Sequence, residues 1–348
     1  MVPRKIGFAP LRVIFSVDTE ASIGGAWTYP DCQPVSMTRR AFCETDQGPF
    51  GLPFIVDELE RYGMRATFLC EMLACGVLGE GDVGRATEYL LTRGQDVQLH
   101  VHPTFRFYAD YLQSGVPVEA RRKFMASDHL AELGEAVQED VIGQSIECFR
   151  RLCGYAPTAF RAGSYAANSR TLRALERMGI LLDSSYNPAY AALGSFVNEG
   201  LIPNRVQRIG GVIEYPVTVA RSRLPEGNGL KAFEVSSLSF WEMRRILDEA
   251  DRMGLPTVVA VLHSFSFIKA SDFKYTRLRP DRIVISRFKR LLAYLSESPE
   301  RFRVTTFSEE AKQRFAPEPD GPSAVPDLGI LRPACRQIVQ AANRVSWL

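Results

Sequence analysis

Met253-Gly254-Leu255-Pro256-Thr257-Val258-Val259-Ala260-Val261-Leu262-His263 contains, in one short stretch, the unit from which the fold can be read. A helical apolar periodicity over 240–253 stops at Gly254, the residue type that most readily takes the left-handed backbone ending a helix. An uncharged run rich in β-branched side chains follows, the pattern of a strand buried on both faces. The run then ends on a histidine. The helix–glycine part of this unit recurs at Tyr62-Gly63, Arg93-Gly94 and Met178-Gly179, each time ahead of another apolar run. Such runs occupy 11–17, 65–69, 97–101, 158–161, 180–182, 212–217, 257–262 and 302–306. Helical stretches at 54–62, 85–92, 129–152, 169–178, 240–253 and 282–295 lie between them. That alternation predicts an α/β fold with a largely parallel sheet, as a barrel or a long open sheet.

Three segments exceed a minimal barrel: 27–50, 105–123 and 187–204 read as long loops after strand ends, where parallel α/β folds build their sites. Residues 317–326 are rich in Pro and Gly and read as a linker. They leave 330–348 as a terminal, partly apolar helix that offers a contact to the body or to another copy, a homo-oligomer. The expected division is a barrel over 1–315 and a linker with C-terminal helix over 316–348.

Composition narrows the function. In 348 residues, 46% are apolar and 24% charged, as in ordinary soluble domains, which excludes low-complexity disorder, collagen and coiled coil. Lys plus Arg is 42 and Asp plus Glu 40, a net of +2, with no basic run longer than Arg121-Arg122-Lys123. No footprint for nucleic acid is present. The seven cysteines (32, 43, 70, 75, 148, 153 and 335) are odd in number and form no Cys-x-x-Cys pair, unlike a secreted disulfide scaffold. No signal-type apolar region and no membrane-length apolar stretch is seen. The expectation is a reduced, cytoplasmic protein without an integral membrane segment.

The strand tips carry the chemistry. Gln98-Leu99-His100-Val101-His102-Pro103 places two imidazoles at i and i+2, hence on one face of a strand that Pro103 ends. The pair is either a metal chelate or two hydrogen-bonded structural histidines. Phe15-Ser16-Val17-Asp18-Thr19-Glu20 adds two carboxylates at the end of another apolar run, as metal ligands or as a turn cap. Arg161, in Phe160-Arg161-Ala162-Gly163-Ser164-Tyr165, can clamp a carboxylate or form an ordinary surface pair. Asp183 ends Leu181-Leu182-Asp183, and His263 ends the run quoted first. Polar groups collected at one end of successive strands read as a site.

In this order the motifs resemble the polysaccharide deacetylase family (carbohydrate esterase family four, the chitooligosaccharide deacetylase homology domain). The resembling segments are Ser16–Glu20, His100–Pro103, Arg161–Tyr165, Leu182–Ser185 and Leu262–Ser264, within residues 11–310. The closest likeness is to a divergent Asp-Thr-Glu / His-x-His-Pro branch: Thr19 separates the two acids, the histidines are two apart rather than four, and Gly163-Ser164 stands where proline is usual. The resemblance implies a distorted (β/α)7-type barrel with long loops at the carboxyl ends of its strands. It implies hydrolysis of an acetyl group, N-acetyl foremost, on a carbohydrate. It implies a divalent metal, Zn²⁺ foremost, held by Glu20, His100 and His102. Asp18 would be the general base, with the exchange of Asp18 and Glu20 left open. Arg161 would hold that base, and His263, kept cationic by Asp183, would be the general acid. Metal and the Tyr165 backbone N–H would stabilise the oxyanion. Aromatic residues 27, 29, 105, 107, 108, 111 and 186 would stack on sugar or form loop core. Two rivals use the same residues: hydrolysis of a small non-sugar amide, and a catalytically impaired carbohydrate-binding protein.

Overall fold

The computed structural model describes residues 9–193, 200–223, 228–312 and 324–329. One sheet contains β1 (Leu11–Thr19), β2 (Thr67–Glu71), β3 (Asp96–Val101), β4 (Ala159–Ala162), β5 (Leu182–Asp183), β6 (Gln207–Ile209), β7 (Val212–Glu214), β8 (Thr257–His263) and β9 (Phe302–Thr305). The strands lie in the order β8-β1-β2-β3-β4-β5-β7-β6, with β9 on the amino half of β1. Every pair is parallel except β6–β7. Around them run α1 (Met37–Phe42), α2 (Leu52–Glu60), α3 (Cys75–Leu78), α4 (Glu80–Thr92), α5 (Pro103–Ser114), α6 (Glu135–Cys153), α7 (Ser169–Arg177), α8 (Phe240–Met253), α9 (Arg282–Ser296) and α10 (Phe307–Lys312).

The sheet curls until irregular backbone beyond β7 reaches β8. Thr218 N–H donates to Val259 O at 3.1 Å, Val261 N–H to Phe233 O at 2.8 Å, and Val235 N–H to Val261 O at 3.0 Å. This is the distorted barrel of parallel strands expected from the sequence. The four helix-ending glycines at 63, 94, 179 and 254 all take positive φ, from 63° to 79°.

Side-chain alternation separates two packed regions. Val13, Phe15 and Val17 of β1 belong to the large core shared with α2 (Ile55, Leu59) and α9 (Phe288, Leu291). Ile14, Leu69, Val259, Tyr215 and Phe307 form a smaller cluster inside the curl. α10 stoppers the amino end of that interior. Phe307 N–H donates to Thr67 Oγ1 at 2.9 Å, Ser308 N–H to Asp96 Oδ2 at 3.1 Å, and the buried Glu310 accepts from Tyr215 at 3.1 Å. Above Ile14 on the same side of β1 come Ser16 and Asp18, so polar groups gather toward the carboxyl end.

The structure corrects some expected boundaries. The expected loop 105–123 is instead α5 followed by a 3-10 turn, Val118–Phe124. Pro103 sits at the first helical position, and Phe105, Tyr108 and Ala109, spaced by three and four, supply the buried stripe. The expected helix 129–152 begins only at Glu135, after a 3-10 turn at Leu130–Glu132. Segment 27–50 contains α1 and a hairpin of Glu44–Thr45 with Gly48–Pro49. Of the expected linker, Pro326 O accepts from Arg221 N–H at 2.7 Å, while Leu328 is buried in the large core. The expected terminal helix 330–348 lies outside the described residues. No described helix is long and apolar enough to cross a membrane.

Removing the apolar stopper is expected to leave a cavity that the strands cannot close. Phe307→Ala should lower unfolding free energy by about 3–5 kcal/mol, measured by urea denaturation.

Candidate metal centre and active site

β-sheet register brings the polar tips level. Asp18 is the partner of His263 across β1–β8, and His100 the partner of Arg161 across β3–β4. Two residues beyond Asp18, the Glu20 carboxylate reaches both imidazoles. Glu20 Oε2 lies 2.7 Å from His102 Nε2 and 3.4 Å from His100 Nε2. One ligand atom from each of the three residues falls within 4.8 Å of the others. The imidazole rings meet edge to face at 5.0 Å.

The outer nitrogens fix how these rings are presented. His100 Nδ1 donates to the Arg161 carbonyl at 2.9 Å, and His102 Nδ1 lies 2.7 Å from Asp128 Oδ2. With Nδ1 of each ring committed to an acceptor, Nε2 is the atom free to present a lone pair. Two imidazole nitrogens and a carboxylate oxygen converging in this way are a donor set that fits a divalent cation, zinc among them. Burial opposes charge on His102, but the Asp128 and Glu20 carboxylates outweigh it and hold that imidazole well above its ordinary pKa, so a cation binding at Nε2 would displace a proton there. Burial likewise opposes charge on Glu20, while His102 and Arg40 hold it well below the usual carboxylate range.

Residues that the sequence did not single out support this centre. Asp128 also accepts Thr104 N–H at 3.0 Å, fixing the start of α5 beside His102. The buried Glu71 accepts the Leu73 N–H at 2.6 Å and the His102 N–H, and burial pushes its carboxyl up to about 8. Arg40 bonds Glu20 Oε1 at 3.2 Å and stacks over Phe265 at 3.8 Å. A Cβ at Gly163 would stand 2.5 Å from the His102 ring, so this backbone approach requires glycine. Asp128 lies 26 positions from His102 with no spacing signal between them. Gly163 stood in the Arg motif, where its absent side chain was the signal.

Beside these candidate metal ligands, Arg161 is wholly buried. It donates to Asp18 Oδ1 at 2.8 Å, to Ser184 O at 2.8 Å and to Ser184 Oγ at 2.9 Å. Asp18 Oδ2 faces His263 Nε2 at 4.0 Å. After Gly163 the chain takes left-handed backbone at both Ser164 (φ 54°) and Tyr165 (φ 57°), an arrangement that costs non-glycine residues energy. Tyr165 is held there by Tyr190, stacked at 5.8 Å, and by the Arg161 guanidinium 5.6 Å from its ring.

Asp183 is the predicted site residue that the structure places elsewhere. Its register partner on β4 is Phe160, so it shares the outward face of Phe160 and not the inward face of Arg161. It accepts from Ser185 Oγ at 2.6 Å and pairs with Glu214. The described residues show no Asp183–His263 contact; Asp18 is the carboxylate that faces His263. Of the aromatic set, Trp27, Tyr108 and Tyr111 pack together, and Trp27 donates to Thr104 Oγ1 at 2.8 Å. Phe105 and Tyr186 are likewise buried. Phe105, Tyr108 and Tyr111 are thus core residues of α5, the two tyrosines packed against the segment carrying Trp27, while Tyr29 is 51% exposed.

Comparison with solved structures matches this architecture. A protein from Mycobacterium smegmatis, assigned by name as a polysaccharide deacetylase, superposes with a TM-score of 0.55 at 16% identity, over 92% of this chain and 97% of that one. A peptidoglycan N-acetylglucosamine deacetylase, Bc1960, gives 0.42 at 13% identity over 87% and 89%. A family-four pseudoenzyme from Bacillus anthracis gives 0.42 at 10% over 87% and 66%. No protein-family model and no curated protein matches the chain. The chain has the polysaccharide deacetylase-like fold.

The Asp183–Glu214 pair yields a pH prediction. Asp183 Oδ2 and Glu214 Oε2 are buried without a donor, so the pair holds a proton between them. Burial, together with Asp183, holds Glu214 well above the usual carboxylate range. The folded protein therefore keeps a proton that the unfolded chain releases above about pH 4.3, and stability declines as pH rises from there. Glu214→Gln carries its donor permanently, so the gap between urea midpoints at pH 5 and pH 8 should narrow in the variant.

Proposed function

We propose that the protein is a metal-dependent hydrolase that removes an acetyl group, N-acetyl foremost, from a carbohydrate. The observation that carries this reading is the convergence of Glu20, His100 and His102 beside Asp18, with His263 facing Asp18 from the next strand. The fold shared with the Mycobacterium smegmatis protein supports the carbohydrate substrate class. A cytoplasmic location belongs to the same reading.

Glu20, His100 and His102 would hold the cation, zinc foremost. The cation supplies Lewis-acid polarisation of a carbonyl and activation of water. Asp18 is the general base. Arg161 occupies its Oδ1, which leaves Oδ2 to receive the proton of an attacking water. His263 donates a proton to the departing amine. Asp18, whose Oδ2 lies 4.0 Å from the His263 Nε2, is the carboxylate placed to orient that imidazole. The Tyr165 backbone N–H, in the left-handed turn after Gly163, would donate to the developing oxyanion.

Acetate release from N-acetylated oligosaccharides tests the reading, with metal content measured on the same samples. His100→Ala and His102→Ala should lose both metal and turnover. His263→Ala should keep its metal while kcat falls by about 10²–10⁴. Glycan binding without metal or acetate release would instead identify a binding protein, and unchanged turnover in His263→Ala would remove that residue from the reaction.

A further inference from the structure

α3 and α6 bring together two cysteines 73 positions apart: the Sγ atoms of Cys75 and Cys148 lie 2.7 Å from each other. Both line a cleft of about 420 Å³ whose wall also carries Arg106, Gln113, Gln144 and Arg151. Cys148 is buried and Cys75 half-buried, and both are part of the cleft lining. Neither residue belongs to the candidate active site. The nearby thiols differ in chemistry. Burial pushes Cys153 up to about 12 and holds Cys70 well above the ordinary thiol value. Cys148 is held below it by its contact with Cys75 and, against the effect of burial, by the Arg151 cation. A thiol of lowered pKa with a second thiol in contact is the arrangement that thiol–disulfide exchange requires.

We propose that Cys75 and Cys148 form a reversible disulfide, made by exchange with a low-molecular-weight disulfide that enters this cleft. The Cys148 thiolate attacks one sulfur of the small disulfide, the S–S bond breaks, and the first small thiol leaves with a proton. Cys75, giving up its proton, then attacks the mixed disulfide at Cys148 and expels the second small thiol. Two protein thiols are oxidised and one small disulfide is reduced to two thiols. The new bond fastens α3 to α6. α3 follows directly on Glu71-Met72-Leu73, whose Glu71 carboxylate holds the His102 backbone, so the cross-link braces the segment behind the metal ligands.

Full-length protein incubated with oxidised glutathione, blocked with maleimide and mapped without reduction tests this. The expected product has, before blocking, a mass lower by about 2 Da, then two fewer maleimide-reactive thiols, and one cross-linked peptide pair joining Cys75 to Cys148. Dithiothreitol should reverse it, and the oxidised form should melt about 5 °C higher. Cys75→Ser should retain glutathione on Cys148 as a stable mixed disulfide. A cross-link from Cys153 to Cys148 or to Cys70, a stable glutathione adduct on the wild type, or no loss of thiols would overturn the proposal. The wild-type map decides these outcomes even where a variant fails to fold.

Discussion

The carboxyl end of the barrel depends on one buried cation. Arg161 has no contact with solvent, yet its guanidinium touches the tips of two other strands: Asp18 at the end of β1 and Ser184 just past β5. Its own carbonyl receives the His100 imidazole from β3. A buried guanidinium is tolerable only when its donors are satisfied, so the geometry of all these tips is set together. Deleting one member of such a pair strands the other charge in a dry interior, at a cost of about 3–5 kcal/mol. The charge that orients Asp18 is therefore also part of the frame that positions His100, and the site and the upper barrel share one scaffold.

Around that scaffold the polar groups fall into three layers of function. The carboxylate and imidazoles at the centre present lone pairs to one point. Asp128, the Arg161 carbonyl and Glu71 hold the histidine rings and backbone from behind. Gly163 permits the close approach of backbone to His102, and Ser164 and Tyr165 follow it in left-handed backbone. Each layer constrains the one inside it, so the convergence of donors is built into the backbone and not left to flexible side chains.

Much of this was legible in the sequence because it is local. A strand tip is written in a few consecutive residues: the apolar run, the polar end, the proline or glycine that stops it. His100 and His102 share a face because a strand alternates, and that needs no partner strand to be known. What sequence could not give was how the tips pair. Asp183 ends a two-residue strand, too short for alternation to reveal its face, and only its register with Phe160 shows that it points away from Arg161. Asp128 was silent because its partnership with His102 is tertiary and crosses α5. The stretch 105–123 was read as a loop because its aromatic residues and its place after a strand suggested one. Pro103 and the buried stripe on α5 made it a helix.

The stoppered amino end has a consequence for traffic. With Phe307 and Glu310 packed beneath Ile14 and Tyr215, the interior is a cup and not a tube. Among the described residues the polar tips lie at the opposite end from this floor, so anything that meets them comes in over the rim and not up through the base.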